Sequence, residues 1–138
     1  MADQLKLEGY ADMAHLTALL DRIESFGQCQ AWPVNAISQL RLVVEEVVIN
    51  VMAYGSHGQG APKLEIDLKQ EGSQLILTIA DNGIAFDPLQ VTPPDLDADL
   101  EEREVGGLGI YLISQLMDSV TYQRDGAWNR LQLSKLMV

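Results

Sequence analysis

Between Leu42 and Met52 the chain reads LVVEEVVINVM, and only Glu45, Glu46 and Asn50 in it are polar. By propensity its β-branched residues, Val43, Val44, Val47, Val48 and Ile49, favour a strand. The spacing favours a helix, because Ile37, Leu40, Val44, Val47, Val48 and Val51 recur at intervals of three and four. Length decides between them. Pro33 suits the first turn of a helix and Gly55 a C-terminal stop, and the roughly 20 residues between carry no breaker, too many for one strand. Glu46 and Asn50, four apart, share a face of that helix. One reading makes the face a wet helix edge, with Arg41 and Glu45 as an i,i+4 pair. That explains Glu45 better than Asn50, since an amide on an apolar helix is costly to bury without a partner. The other reading gives Glu46 and Asn50 a chemical role.

The remaining periodicities set the architecture. Residues 4–8, QLKLE, alternate as an edge strand does. From Asp12 to about Phe26, Met13, Leu16, Leu19, Leu20 and Ile23 fall at helical spacing, with Asp12 as N-cap and Gly27 as stop. Residues 63–70 and 74–80 are strand-like about the turn Glu71-Gly72-Ser73. From Asn82 to Val105 periodicity is lost, and the stretch holds Pro88, Pro93 and Pro94. A loop of that length is usually a functional lid or a disordered segment. Helical spacing returns at Leu108, Leu112, Ile113 and Leu116, and strands 119–124 and 128–135 follow, joined by Asp125-Gly126. Hairpins dominate, so the expected fold is α+β: a two-layer sandwich with a mixed, mainly antiparallel sheet and helices on one face. With no repeat and no linker, residues 1–138 read as one domain.

Charge narrows the function classes. Twenty Asp and Glu oppose nine Lys and Arg, a net charge of −11. Nucleic-acid binding draws on cations that neutralise phosphates, so direct DNA or RNA binding is not expected, and an anionic membrane surface would repel the chain. No apolar run approaches the roughly 20 residues that span a bilayer, and MADQLKLEGYADM lacks the apolar core of a secretory signal, which leaves a cytoplasmic protein as the default. Cys29, the sole cysteine, permits neither an intrachain disulfide nor a cysteine-rich zinc site and is expected as a half-buried thiol. His15 and His57 have no convergent partners in sequence and receive no role.

Two further motifs join the Glu46/Asn50 pair. DNGIAFDP, residues 81–88, stands at the end of a predicted strand. Asp-Asn-Gly is first of all a turn signal. Here the chain enters a long loop instead of returning as a hairpin, which favours a strand-end Asp81 placed to accept a hydrogen bond from a ligand, with Gly83 admitting a flat ring close to the backbone. GGLG, Gly106 to Gly109, opens a helix, where free N–H groups and the dipole favour an anion. It is neither a Walker A loop, since no Gly-Lys-Ser/Thr occurs, nor a dinucleotide fingerprint, since the third glycine and the preceding strand are missing.

An Asn-bearing helix, a strand-end DxG, a lid and a glycine-rich helix start, in this order, resemble the Bergerat ATP site of the histidine-kinase-like ATPase (GHKL) superfamily. The likeness runs from about Leu5 to Lys135. Within it the chain looks most like the bacterial anti-sigma-factor serine protein kinases, and GGLGIYLISQLMDSVTYQRDGAWNRLQLSK and DNGIAFDPL are the segments most similar to that group. The resemblance implies ATP and Mg²⁺ as cofactors. It implies Asn50 as the Mg²⁺ ligand, Glu46 as general base, and Asp81 as acceptor for the adenine amino group with Gly83 beside the ring. Ala85 then lies in the adenine pocket, where many members carry a second glycine, and Gly106, Gly107, Leu108 and Gly109 wrap the phosphates under a lid of about residues 84–105. Tyr54 stands where a histidine is commonest, Val105 where some relatives carry an arginine, and Asn129 near the place of a Gly-Thr pair.

The implied activity is phosphorylation of an anti-sigma-factor antagonist, a small STAS-type protein, by a kinase that also binds a sigma factor; relatives often pair as homodimers. A competing reading keeps ATP as a switching ligand of a protein-binding module without phosphate transfer. Between Asp81 and Glu104 stand eight carboxylates and one arginine, Arg103, which read as a solvated loop or as a docking surface for a basic partner.

Overall fold

The computed structural model describes residues 4–56, 60–90 and 107–137. In chain order the elements are β1 (Gln4–Tyr10), α1 (Met13–Cys29), α2 (Val34–Tyr54), β2 (Lys63–Glu71), β3 (Gln74–Asp81), a 3-10 turn (Pro88–Gln90), α3 (Gly107–Leu116), β4 (Ser119–Asp125) and β5 (Trp128–Leu136). The strands form one sheet in the order β1-β2-β3-β5-β4. All four pairings are antiparallel, so the mainly antiparallel sheet expected from the hairpins contains no parallel pair among the described strands. β1 is an edge strand, as QLKLE suggested.

Period-two alternation decides which side of the sheet is covered. Leu5 and Leu7, Leu64, Ile66 and Leu68, Leu75, Leu77 and Ile79, and Leu131 and Leu133 are buried, and all point to the helical layer. From that layer α2 meets them with Leu40, Val43, Val44 and Val48, none of which is measurably exposed. It packs against both α1 and α3 and lies over β3. That central place explains its apolar sequence: a helix wanted on most of its sides carries apolar residues on most of its sides. No described helix is long and apolar enough to cross a membrane.

Local signals are mostly obeyed. Asp12 caps α1, its side chain accepting from the His15 N–H at 2.8 Å. The same carboxylate also takes the His15 ring Nδ1, at 2.8 Å, so His15 has a partner the sequence did not suggest. The hairpins turn on Gly72-Ser73 and Gly126-Ala127, since Glu71 pairs with Gln74 and Asp125 with Trp128. Gly72 and Gly126 take φ of 61° and 60°, the left-handed region that glycine occupies without penalty.

Four expectations are corrected. Gly27 does not end α1, which continues to Cys29. A Cβ there would lie 2.8 Å from Ile37 Cγ1 and 3.0 Å from the Trp32 ring, so the glycine lets the two helices close on each other. Pro33 is the N-cap of α2, with extended backbone, and lies just outside its first turn. Arg41 does not pair with Glu45; its guanidinium reaches across to α1 and binds Glu24 at 2.8 Å. Cys29 is exposed. In the long loop, a single 3-10 turn at residues 88–90 adds structure that the lost periodicity did not announce, and residues 91–106 lie outside the described part.

Candidate functional site

The C-terminal half of α2 and the ends of β3 and β5 converge on one cavity of about 440 Å³, its open mouth included. Its walls are Val47, Asn50 and Val51 from α2, its C-cap Gly55, Ile79 and Asp81 from β3, and Tyr122, Asn129 and Leu131 from β4 and β5. Ile84, Phe86 and Pro88 close one side from the loop after β3. Apolar walls with a few placed polar groups are the usual lining of a small-molecule site.

Two predicted site residues meet here. Asn50 is 5 % exposed, and its amide Nδ2 has no hydrogen-bond partner among the described residues. A buried polar atom without a partner costs free energy, which a group entering the cavity would relieve. Asp81 is 7 % exposed. Its Oδ1 accepts from the Gly83 N–H at 2.9 Å and from Asn129 Nδ2 at 3.0 Å, so both donors act on one oxygen and the other has no donor among the described residues. Burial pushes the Asp81 carboxyl above its usual range, against the opposing pull of Asn129, Gly83 and Arg124.

The loop is fastened from three sides. Gly83 passes so close to the end of α2 that a Cβ on it would meet the Gly55 carbonyl oxygen at 2.5 Å. The next residue, Ile84, donates its N–H to that same carbonyl at 3.1 Å. Arg124 Nη1 donates to the Gly83 carbonyl at 3.0 Å. Phe86 stacks on Tyr54, ring centroids 5.0 Å apart and planes 14° from parallel. Tyr54 thus anchors the loop from the last residue of α2. The space that Gly83 provides is filled by the Gly55 carbonyl.

The other predicted residues are not among the described lining of this cavity. Glu46, one helical turn before Asn50, is half-buried and does not line it. Partial burial, and next the neighbouring Glu45 charge, hold its carboxyl above the ordinary value. Ala85 is exposed and is not part of the lining. Gly107, Leu108 and Gly109 form the first turn of α3, which packs against α2. Gly106 lies outside the described residues, as do Val105, Arg103 and His57. Among the described residues no group of three or more His, Cys, Asp or Glu side chains gathers to hold a metal.

Sequence reading gave Asn129 no role, yet it is the most connected side chain here. It lies directly across from Asp81 in the β3–β5 register, buried at 6 % exposure. Period two would have flagged it: Asn129, Leu131 and Leu133 point the same way, and a polar residue at an inward position needs partners.

Three comparisons with known proteins bear on this arrangement. The histidine kinase-like ATPase domain family matches residues 10–135. The serine/threonine-protein kinase BtrW of Bordetella bronchiseptica is 30 % identical over 132 residues, 96 % of this chain and 92 % of that one. The serine-protein kinase RsbW of Listeria monocytogenes is 30 % identical over 94 residues, 65 % of this chain and 60 % of that one. Among solved structures, the histidine kinase domain of an Erythrobacter litoralis blue-light activated kinase superposes with a TM-score of 0.55 at 18 % identity, over 88 % of this chain and 61 % of the other. That likeness concerns the fold.

Proposed function

The chain belongs to the histidine kinase-like ATPase domain family, and on that premise we propose that it binds ATP with Mg²⁺ in this cavity and phosphorylates a serine or threonine of a partner protein. The observation that supports the reading is the pairing, in one cavity, of a buried Asn50 whose Nδ2 has no partner and a buried Asp81 whose second oxygen has no donor among the described residues. Asp81 accepts from the adenine amino group, and the aliphatic walls take the ring faces. Asn50 is the side chain that would hold Mg²⁺, whose charge would offset that of the phosphates. The fit is one of donor chemistry: an amide oxygen suits a hard cation that brings most of its ligands with the triphosphate. Gly107, Leu108 and Gly109 at the start of α3, with Gly106 before them in the sequence, wrap the phosphates, where the helix N-terminus favours negative charge. Residues 1–138 act as one ATPase domain, with about residues 84–105 as its lid.

Glu46 is the general base. Its raised pKa brings it nearer to neutrality, which suits a carboxylate that must take a proton. The attacking hydroxyl gives its proton to Glu46 as the new O–P bond forms, and the bond from the terminal phosphorus to the bridging oxygen breaks, releasing ADP. The kinase reading follows the names of the two relatives. The phosphoacceptor, an anti-sigma-factor antagonist of the STAS type, the sigma factor as second partner and the homodimer rest on the resemblance of the motifs. The test is phosphate transfer from Mg-ATP to a purified antagonist, with Glu46→Gln beside the parent. Transfer should fall at least about 100-fold in the variant; equal rates remove Glu46 as the base.

One observation favours the second reading, a nucleotide-switched binding module. Among the described residues no Lys or Arg lines the cavity, and Arg124 is engaged with the Gly83 and Gly126 carbonyls. Capture of a partner that depends on nucleotide, with no phosphoprotein formed, selects that reading.

A further inference from the structure

Asn129 spends its full amide inside the protein. Nδ2 donates to Asp81 Oδ1 at 3.0 Å and to the Ile84 carbonyl at 2.8 Å. Oδ1 accepts from the Phe86 N–H at 3.2 Å and from the Tyr122 hydroxyl at 2.5 Å. The orientation of the amide is forced. Exchanging its oxygen and nitrogen would set the oxygen against a carboxylate and a carbonyl, and the NH₂ against a backbone N–H. With both donors and the acceptor committed, Asn129 has nothing left for a ligand. Its effect is on its neighbours. The N–H it gives to Oδ1 keeps Asp81 an acceptor at the cavity wall. The hydroxyl proton it takes from Tyr122 leaves the phenol oxygen able only to accept. Both of those residues line the cavity.

We infer that Asn129 is a positioning residue that sets the hydrogen-bond polarity of this wall, so that the site selects a ring bearing an exocyclic amino group and rejects its oxo counterpart. The inference rests on the nucleotide reading above and supplies the specificity of that same site. An amino group meets acceptors from Asp81 and Tyr122. An oxo group in its place meets the same acceptors with no proton between them, and a buried polar site left unpaired discriminates strongly. Asn129 also ties Ile84 and Phe86, two loop residues of the cavity, to the sheet, so the wall and its polarity are fixed together.

The experiment is calorimetric titration of the whole chain with Mg-ATP and with Mg-ITP, which differ in that group and in the proton that ring N1 gains with the oxo form. The parent should hold ATP about tenfold or more above ITP. Asn129→Ala should bring the ratio within about threefold, mainly through lost ATP affinity, while a cooperative melt is retained. Tyr122→Phe, which leaves the Asp81 bond in place, should narrow the ratio by part of that amount and decides the matter if Asn129→Ala does not fold. A folded Asn129→Ala, or Tyr122→Phe in its stead, with the parental ratio overturns the inference. So does a parent that binds ATP and ITP equally, an outcome that leaves the nucleotide site standing. A parent that binds neither fails the nucleotide reading itself.

Discussion

Asp81 carries its charge in a place that resists it. Burial is the largest influence on its carboxyl and lifts the pKa above the ordinary 3.8, more than Asn129, Gly83 and Arg124 together lower it. An acid whose pKa is raised by folding adds stability below its unfolded pKa and loses that contribution as pH rises through the folded value. At neutral pH the ionised group is therefore a cost to the fold. Asp81→Asn, which can still accept from Gly83 and Asn129, should melt at the parental temperature or above it at pH 7, and the advantage should vanish below about pH 4. The same variant should bind both Mg-ATP and Mg-ADP about tenfold or more weakly, because an amide that keeps its oxygen on Gly83 and Asn129 presents an NH₂, not an acceptor, to the adenine amino group. Unchanged affinity would place the purine elsewhere. Asn50 makes a complementary case. Its Nδ2 already lacks a partner, so Asn50→Ala forfeits no recorded bond of that atom, and the melting temperature should move by only a few degrees. Calorimetry with and without Mg²⁺ should show the loss confined mainly to the Mg²⁺-dependent part of the affinity.

Elements here are shaped by how closely they must approach as well as by their own propensities. α1 and α2 close on each other at Gly27, where a Cβ would press on Ile37 and Trp32. Gly27→Leu should cost about 1–3 kcal/mol by overpacking, read as a lower urea midpoint with an unchanged slope. A variant as stable as the parent would show that the helices have room to part. This contact also marks where sequence reading stops. Helix and strand periods are local, so α2, both hairpins and the start of α3 could be read from spacing. Asn50 and Asp81 stood out because each breaks an apolar pattern or ends a strand. Gly27 looked like a helix stop because the Ile37 side chain that demands it is ten residues away. Arg41 looked paired with Glu45 because Glu24 lies on another helix. Asn129 passed unread for the same reason: three of its partners, Asp81, Ile84 and Phe86, lie more than 40 residues away in the chain.

The molecule as a whole is a sheet whose centre is its least exposed part. Leu77, on β3 between β2 and β5, has no measurable exposure and faces α2. Leu77→Ala should cost about 2–5 kcal/mol in chemical denaturation, the range for a core leucine that leaves a cavity. Nucleotide affinity should change little while the protein stays folded, because Leu77 does not line the site. A loss of binding larger than the unfolded fraction would mean that the core and the cavity are coupled. β3 and β5 are spatial neighbours although the long loop, α3 and β4 separate them in the chain. Asp81 finds Asn129 only through that pairing. A chain still being synthesised can wind both long helices and fold its first hairpin, yet the cavity lacks its β5 wall until residue 129 has cleared the ribosome. Any ligand held in that cavity would therefore certify that the late, long-distance closure of the sheet has taken place.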